Sequence, residues 1–211
     1  MLPEKGQLFE NIQIMKSAQK KLHSTTRILV GMAGAVLFIA LFVPIWQIQL
    51  TAPQYPEGLE LFIHADKLSG DVKIINGLNH YIGMKELHKD DFIEFVVLPY
   101  IIVFLGVMGL LTAVVNRREL FFFWVIFFAV FGILTIIRFY LWLYDYGHNL
   151  DPKAPIQVPG MSYQPPMIGY KKLLNFGAYS IPVTGGWIMI GAVVMAIWGV
   201  LVETKFKKKK V

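Results

Sequence analysis

Long apolar runs separated by short polar stretches set the reading of this chain more than any single motif does. Runs at residues 28–46, 95–115, 120–144 and 181–202 are each about 19 residues or longer, enough at 1.5 Å per helical residue to cross a hydrocarbon layer of about 30 Å. A soluble core would instead scatter its apolar residues at a period of 2 or 3.6. The pattern predicts an all-α membrane protein, a four-helix transmembrane bundle with two structured periplasmic loops at 47–94 and 145–180. The first loop is expected to hold a small β-hairpin and a short helix. Residues 116–119 make a tight turn between the second and third spans, and residues 203–211 form a basic tail.

Charge gives the bundle a direction. Lys16, Lys20, Lys21 and Arg27 precede the first run, Arg117 and Arg118 sit in the turn, and Lys205, Lys207, Lys208, Lys209 and Lys210 follow the last run. With four spans all three groups fall on one side, which the positive-inside tendency makes the cytoplasm. The expectation is a multi-pass protein of a bacterial inner membrane with both termini cytoplasmic. The first run lacks a small-residue cleavage site and reads as an uncleaved signal anchor. Within the cytoplasmic segment 1–27, Leu8, Ile12, Met15 and Leu22 among lysines suggest an amphipathic helix at the inner surface. Small residues four apart (Gly31 with Ala35, Gly109 with Ala113, Ala192 with Ala196) suit close helix packing, without saying which helices pair.

Composition narrows the chemistry. Hydrophobic residues make up 55% of the chain and charged ones 16%, below the quarter usual for soluble domains, so the net charge of +6 orients helices and does not point to nucleic acid. The absence of cysteine excludes disulfides, thiolate metal sites, iron–sulfur clusters and covalently attached haem. No histidine lies in the middle of a run, which disfavours a bis-histidine haem in the bundle. No carboxylate pair lies there either, which argues against a proton-coupled carrier.

Candidate chemistry therefore gathers in the loops. Residues 59–65 and 71–75 have partial strand character around a turn at 67–70, and Asn79 is placed to cap a short helix running toward the second span. Such a helix would stack His80, Met84 and His88 on one face, a set of imidazole and thioether ligands suited to copper, although Gly83 weakens it. His148, Met161 and Met167 of the second loop share that side of the membrane. The structural alternative is that these residues only pack the loops together. Arg138, in the outer part of the third run, has Glu94 and Asp145 as prospective partners. It reads either as half of an ion pair pinning two helices or as a site for an anion or a cofactor carboxylate.

The segments Trp46-Gln47-Ile48-Gln49-Leu50, Ala52-Pro53-Gln54-Tyr55-Pro56-Glu57-Gly58-Leu59 and Ile75-Asn76-Gly77-Leu78-Asn79-His80-Tyr81-Ile82-Gly83-Met84 resemble a poorly characterised family of bacterial membrane proteins encoded with nitrous-oxide reductase. Tyr163-Gln164-Pro165-Pro166, Gly169-Tyr170-Lys171 and Leu174-Asn175-Phe176 extend the likeness, which covers most of residues 46–187. The resemblance implies an accessory protein of nitrous-oxide respiration, partnered by the periplasmic copper reductase or by other membrane maturation proteins. It transfers no catalytic residue. The combined expectation is a non-catalytic membrane protein whose periplasmic loops hold copper transiently or dock the reductase. A quinol-linked electron-transfer component and a purely structural anchor are the alternatives.

Overall fold

A lipid-exposed backbone has no water to bond, so each apolar run must close its own hydrogen bonds as a helix. The computed structural model describes residues 21–173 and 175–208, with side chains through Lys205, and in it all four runs are helical. Helix α1 (Ser24–Leu37) continues as a 3-10 turn over Phe38–Leu41, and α3 (Glu94–Val115), α4 (Arg118–His148) and α5 (Thr184–Lys208) supply the other spans. These four are long and apolar enough to cross a membrane. The amphipathic segment expected at 8–22 falls almost wholly outside the described residues.

The all-α expectation is overturned. Beside the helices lies a five-stranded antiparallel sheet of β1 (Trp46–Ala52), β2 (Tyr55–Ile63), β3 (Leu68–Gly70), β4 (Gly169–Leu173) and β5 (Phe176–Pro182), in the order β3-β2-β1-β5-β4. The strands come from both segments outside the spans, joined where β1 pairs β5 from Trp46↔Pro182 to Thr51↔Gly177. Two span boundaries move accordingly. Pro44 cannot donate to a helix, so the first span stops short of Trp46, which opens β1. Ile181 and Pro182, expected at the start of the fourth span, close β5, and α5 begins at Thr184.

The first loop is also rearranged. The expected hairpin exists only as β2 with the three-residue β3, and residues 72–75, expected as a strand, open helix α2 (Val72–Ile82). Val72, Ile75, Leu78 and Ile82 recur at helical spacing, and this outweighs the strand preference of their β-branched side chains. Asn79 therefore sits in the last turn of α2 and caps nothing at its start. Gly83 ends the helix in the left-handed conformation at φ 79°, a position that suits glycine alone at low cost.

Two apolar cores result. One lies in the bundle, where α1 packs between α3 and α5 and buries Val30, Ala33 and Leu37 with Ile102, Leu105, Trp124 and Ala192. The indole of buried Trp124 donates to the Leu105 carbonyl at 2.9 Å, tying α4 to α3. Small residues carry the α1–α3 crossing: a Cβ on Gly34 would lie 2.7 Å from the Gly106 carbonyl oxygen, and one on Gly109 would lie 2.9 Å from Gly34 Cα. The second core lies beyond the membrane between the sheet, α2 and the end of α4, and includes Ile48, Leu61, Ile75, Ile82, Leu143 and Tyr146. At 31 residues α4 is about 46 Å long, more than the bilayer core needs, and its last turns enter this second core.

Gly34→Ala should lower the melting temperature of the detergent-solubilised protein, by an overpacking cost of about 1–3 kcal/mol, although alanine normally favours a helix. Gly132→Ala is the control, because nothing lies within 4 Å of the Cβ it would add. A neutral Gly34→Ala would mean that α1 and α3 do not meet through these glycines.

Candidate functional site

The side chains proposed as metal ligands divide between the surface, where His80, His88 and His148 lie, and the second core, which Met84, Met161 and Met167 join or pack against. His80 is exposed near the end of α2 with its ring edge-on to Tyr81, whereas Met84 lies past the Gly83 cap and is buried in the second core. The helical face meant to carry His80, Met84 and His88 is therefore not formed. His88 is exposed and sits 3.0 Å from Glu86 Oε2. His148 stacks on Tyr144, with Nδ1 3.0 Å from the Tyr144 carbonyl oxygen. Met161 and Met167 are half-buried against the second core. Among the described residues no group of three His, Asp or Glu side chains is placed to hold a metal.

The asparagines of the same motif act on structure. Asn76 brackets Leu87, its amide donating to the Leu87 carbonyl at 3.2 Å and its carbonyl oxygen accepting from the Leu87 N–H at 2.8 Å. Asn79 is buried and donates to the Tyr146 hydroxyl, linking α2 to α4. The Gly83 carbonyl accepts from the Asp151 N–H at 2.8 Å, and a Cβ on Gly83 would lie 2.9 Å from the Asp151 carbonyl oxygen, so the second loop lies directly against this turn. The end of the 75–84 segment is thus one of the places where the two loops are fastened together.

Arg138 meets one of its two expected partners. Its Nε and Nη2 donate to Glu94 Oε1 at 2.9 and 2.7 Å, joining α4 to the first residue of α3. Asp145 instead pairs with Lys85 at 2.9 Å. Arg138 is not the buried charge of the molecule, since its side chain is 62% exposed and that of Glu94 is 40% exposed. Among the described residues the buried charge is Glu203 near the end of α5, at 5%. Its carboxylate accepts from the His23 N–H at 2.8 Å and lies 3.3 Å from Arg118 Nε, while Arg118 Nη2 donates to the Glu203 carbonyl at 3.0 Å. This clasp gathers α1, α4 and α5 at the end opposite the sheet. A lone acid between an apolar run and a lysine tail was the available signal for it.

The sheet has one covered face and one open face. Ile48, Leu50, Ala52 and Leu61 point into the second core, where they help line a partly open apolar pocket of about 60 Å³. On the other face a cross-strand row runs Tyr170, Tyr179, Gln49, Glu60 through successive pairings, with Tyr170 66% and Tyr179 42% exposed. Gln47 donates to Glu60 Oε1 at 3.0 Å on the same face. At the turn after β2, His64 Nε2 shares a 2.8 Å hydrogen bond with Ser69 Oγ. Burial, and then the charge of Lys67, pull the His64 imidazole below its ordinary 6.5 against the opposing carboxylate of Asp66.

In comparisons with known proteins no family model matches this chain, nor does any curated protein or solved structure. Fold and hydropathy define its class: a multi-pass membrane protein with four spanning helices and a sheet-and-helix cap built from the segments between them.

Two measurements test the electrostatics. Glu203→Leu, which strands Arg118 beside apolar neighbours, should lower stability by about 3 kcal/mol, whereas Arg138→Leu at an exposed pair should cost under about 1 kcal/mol. Equal losses would contradict the difference in burial. For His64 the fold favours the neutral imidazole, so the unfolded chain binds the extra proton between the depressed folded value and 6.5. Stability should fall as pH drops through that window and level off below it. His64→Gln should flatten this part of a melting-temperature profile, and an unchanged slope would remove His64 as its source.

Proposed function

We propose that this chain is a non-catalytic accessory protein of a bacterial inner membrane, with both termini cytoplasmic, that docks a soluble periplasmic partner on the open face of its sheet. The single observation that supports this best is the row Tyr170, Tyr179, Gln49, Glu60. It is a rigid, half-aromatic surface on paired strands, with no element of the described chain covering it. Tyrosine gives large contact area at little entropic cost and is enriched at protein interfaces. The motif resemblance supplies the partner, the periplasmic copper reductase of nitrous-oxide respiration. Docking is preferred to transient copper holding because exposed His80 and buried Met84 share no helix face.

In this reading the lysines and arginines of the end opposite the sheet face the cytoplasm, and the cap faces the periplasm. The wild-type protein, purified in mild detergent, should retain the reductase. The Tyr170→Ala/Tyr179→Ala double variant should lose most of that retention, about tenfold or more if either tyrosine is an interface hot spot, with no fall in melting temperature. Cells carrying it should consume nitrous oxide more slowly. If the reductase is not retained by wild-type protein, or the double variant respires normally, the docking role is refuted. A reporter fused after Val211 that is active in the periplasm would reverse the orientation.

A further inference from the structure

The end of the bundle opposite the sheet carries cations that the ion pairs of the fold do not use. Residue 21 meets residue 117 in an isolated antiparallel bridge, so Lys21 and Arg117 stand directly across from each other. Side chains so placed have Cβ atoms about 4.5–5.5 Å apart, and like charges there repel. The backbone around them fixes the contact: the Leu22 N–H donates to Asn116 Oδ1 at 3.2 Å, and Asn116 closes α3 in the left-handed conformation at φ 56°. Arg27 is held beside them, its Nε donating to the Ala113 carbonyl at 2.7 Å in the last turn of α3. All three cations are exposed, and among the described residues none of them takes part in an ion pair. Glu203 is committed to Arg118 and the His23 N–H, which leaves Glu119, in the first turn of α4, as the carboxylate nearest to them in sequence.

Toward the bilayer the surface turns apolar at once. Ile28 is 62% and Val114 73% exposed, and Met32 on α1 and Leu111 on α3 are exposed a turn further in. The two helices meet at this level, where a Cβ on Gly31 would lie 3.2 Å from Ala113 Cβ. A ligand that suits both parts has an anionic head and apolar tails. A phosphodiester accepts charge-assisted hydrogen bonds from guanidinium and ammonium groups, and its negative charge between Lys21 and Arg117 turns their repulsion into attraction. A zwitterionic headgroup does this less well, because it brings its own cation. Basic clusters at the ends of spanning helices bind acidic headgroups on these grounds.

We propose that Lys21, Arg27 and Arg117 hold the phosphate of an anionic phospholipid from the adjoining leaflet, its acyl chains lying along Ile28 and Val114. The site is independent of the docking face and stands whichever end of the bundle faces the cytoplasm. Full-length protein in mild detergent should be titrated separately with dioleoylphosphatidylglycerol, dioleoylphosphatidylcholine and inorganic phosphate, following the melting temperature. Phosphatidylglycerol should raise it saturably, and the other two should do little. The Lys21→Gln/Arg117→Gln double variant should need about tenfold more phosphatidylglycerol for the same rise. Its lipid-free melting temperature should be unchanged or higher, because two facing cations have gone. Lys205→Gln/Lys207→Gln removes the same charge from the tail and should respond like wild type. The proposal is overturned if phosphatidylglycerol does nothing or phosphatidylcholine acts as strongly, and inorganic phosphate reproducing the rise would make this a free-anion site instead. It is also overturned if the tail variant loses as much as the bridge variant, since the attraction would then be diffuse, or if the lipid-free bridge variant melts lower, since the two cations would then already have partners.

Discussion

The pairing of β1 with β5 is the constraint on which the rest of the cap depends. β1 follows the first span and β5 leads into the fourth, and Trp46 donates to Ser180 Oγ at 2.8 Å across a separation of 134 residues. Without that pairing the first segment would own a small three-stranded sheet with β1 as a bare edge, and the second an isolated strand pair. Joined, they give five strands with one apolar side. That side needs a cover, and α2, the second loop and the last turns of α4 provide it. The excess length of α4 follows from the same demand, since a helix that stopped at the membrane surface would leave the sheet without Leu143 and Tyr146.

The bundle is held by different means. Apolar side chains gain little by leaving lipid for one another, so close contact between α1 and α3 is made by removing side chains at Gly34, Gly106 and Gly109, which lets backbones approach. Among the described residues the ion pairs of the bundle sit at its two ends, Glu94 with Arg138 toward the sheet and Glu203 with Arg118 at the opposite end, and the Trp124–Leu105 hydrogen bond lies between them. Between them α4 is exposed almost all round from Ile133 to Arg138, as suits a helix surrounded by lipid.

The motif at 75–84 shows how a chemically suggestive string can serve the fold. Asn76, Asn79 and Gly83 each have a defined backbone or side-chain task, and together they fasten one loop to the other. His80 and Tyr81 remain on the surface. The open side of the sheet carries exposed tyrosines, and its covered side closes on the second core.

Residue order alone determined the four spans, because the bilayer requirement is local: about 20 apolar residues must satisfy their own backbone, whatever lies elsewhere in the chain. It also narrowed Arg138 to two partners, Glu94 and Asp145, of which the fold chose Glu94, on a helix joined to its own by a short turn. The sheet was not legible, because a strand is defined by a partner. Nothing in residues 46–52 names residues 177–182 as theirs, and Trp46 and Ile181 read equally well as ends of apolar spans. Residues 72–82 were misjudged for a different reason: Val72, Ile74 and Ile75 favour a strand locally, and the helical spacing of Val72, Ile75, Leu78 and Ile82 shows only over the full stretch. The buried Glu203 and the Asn79–Tyr146 bond likewise exist only once distant segments meet, since burial is a property of neighbours that tertiary structure alone supplies.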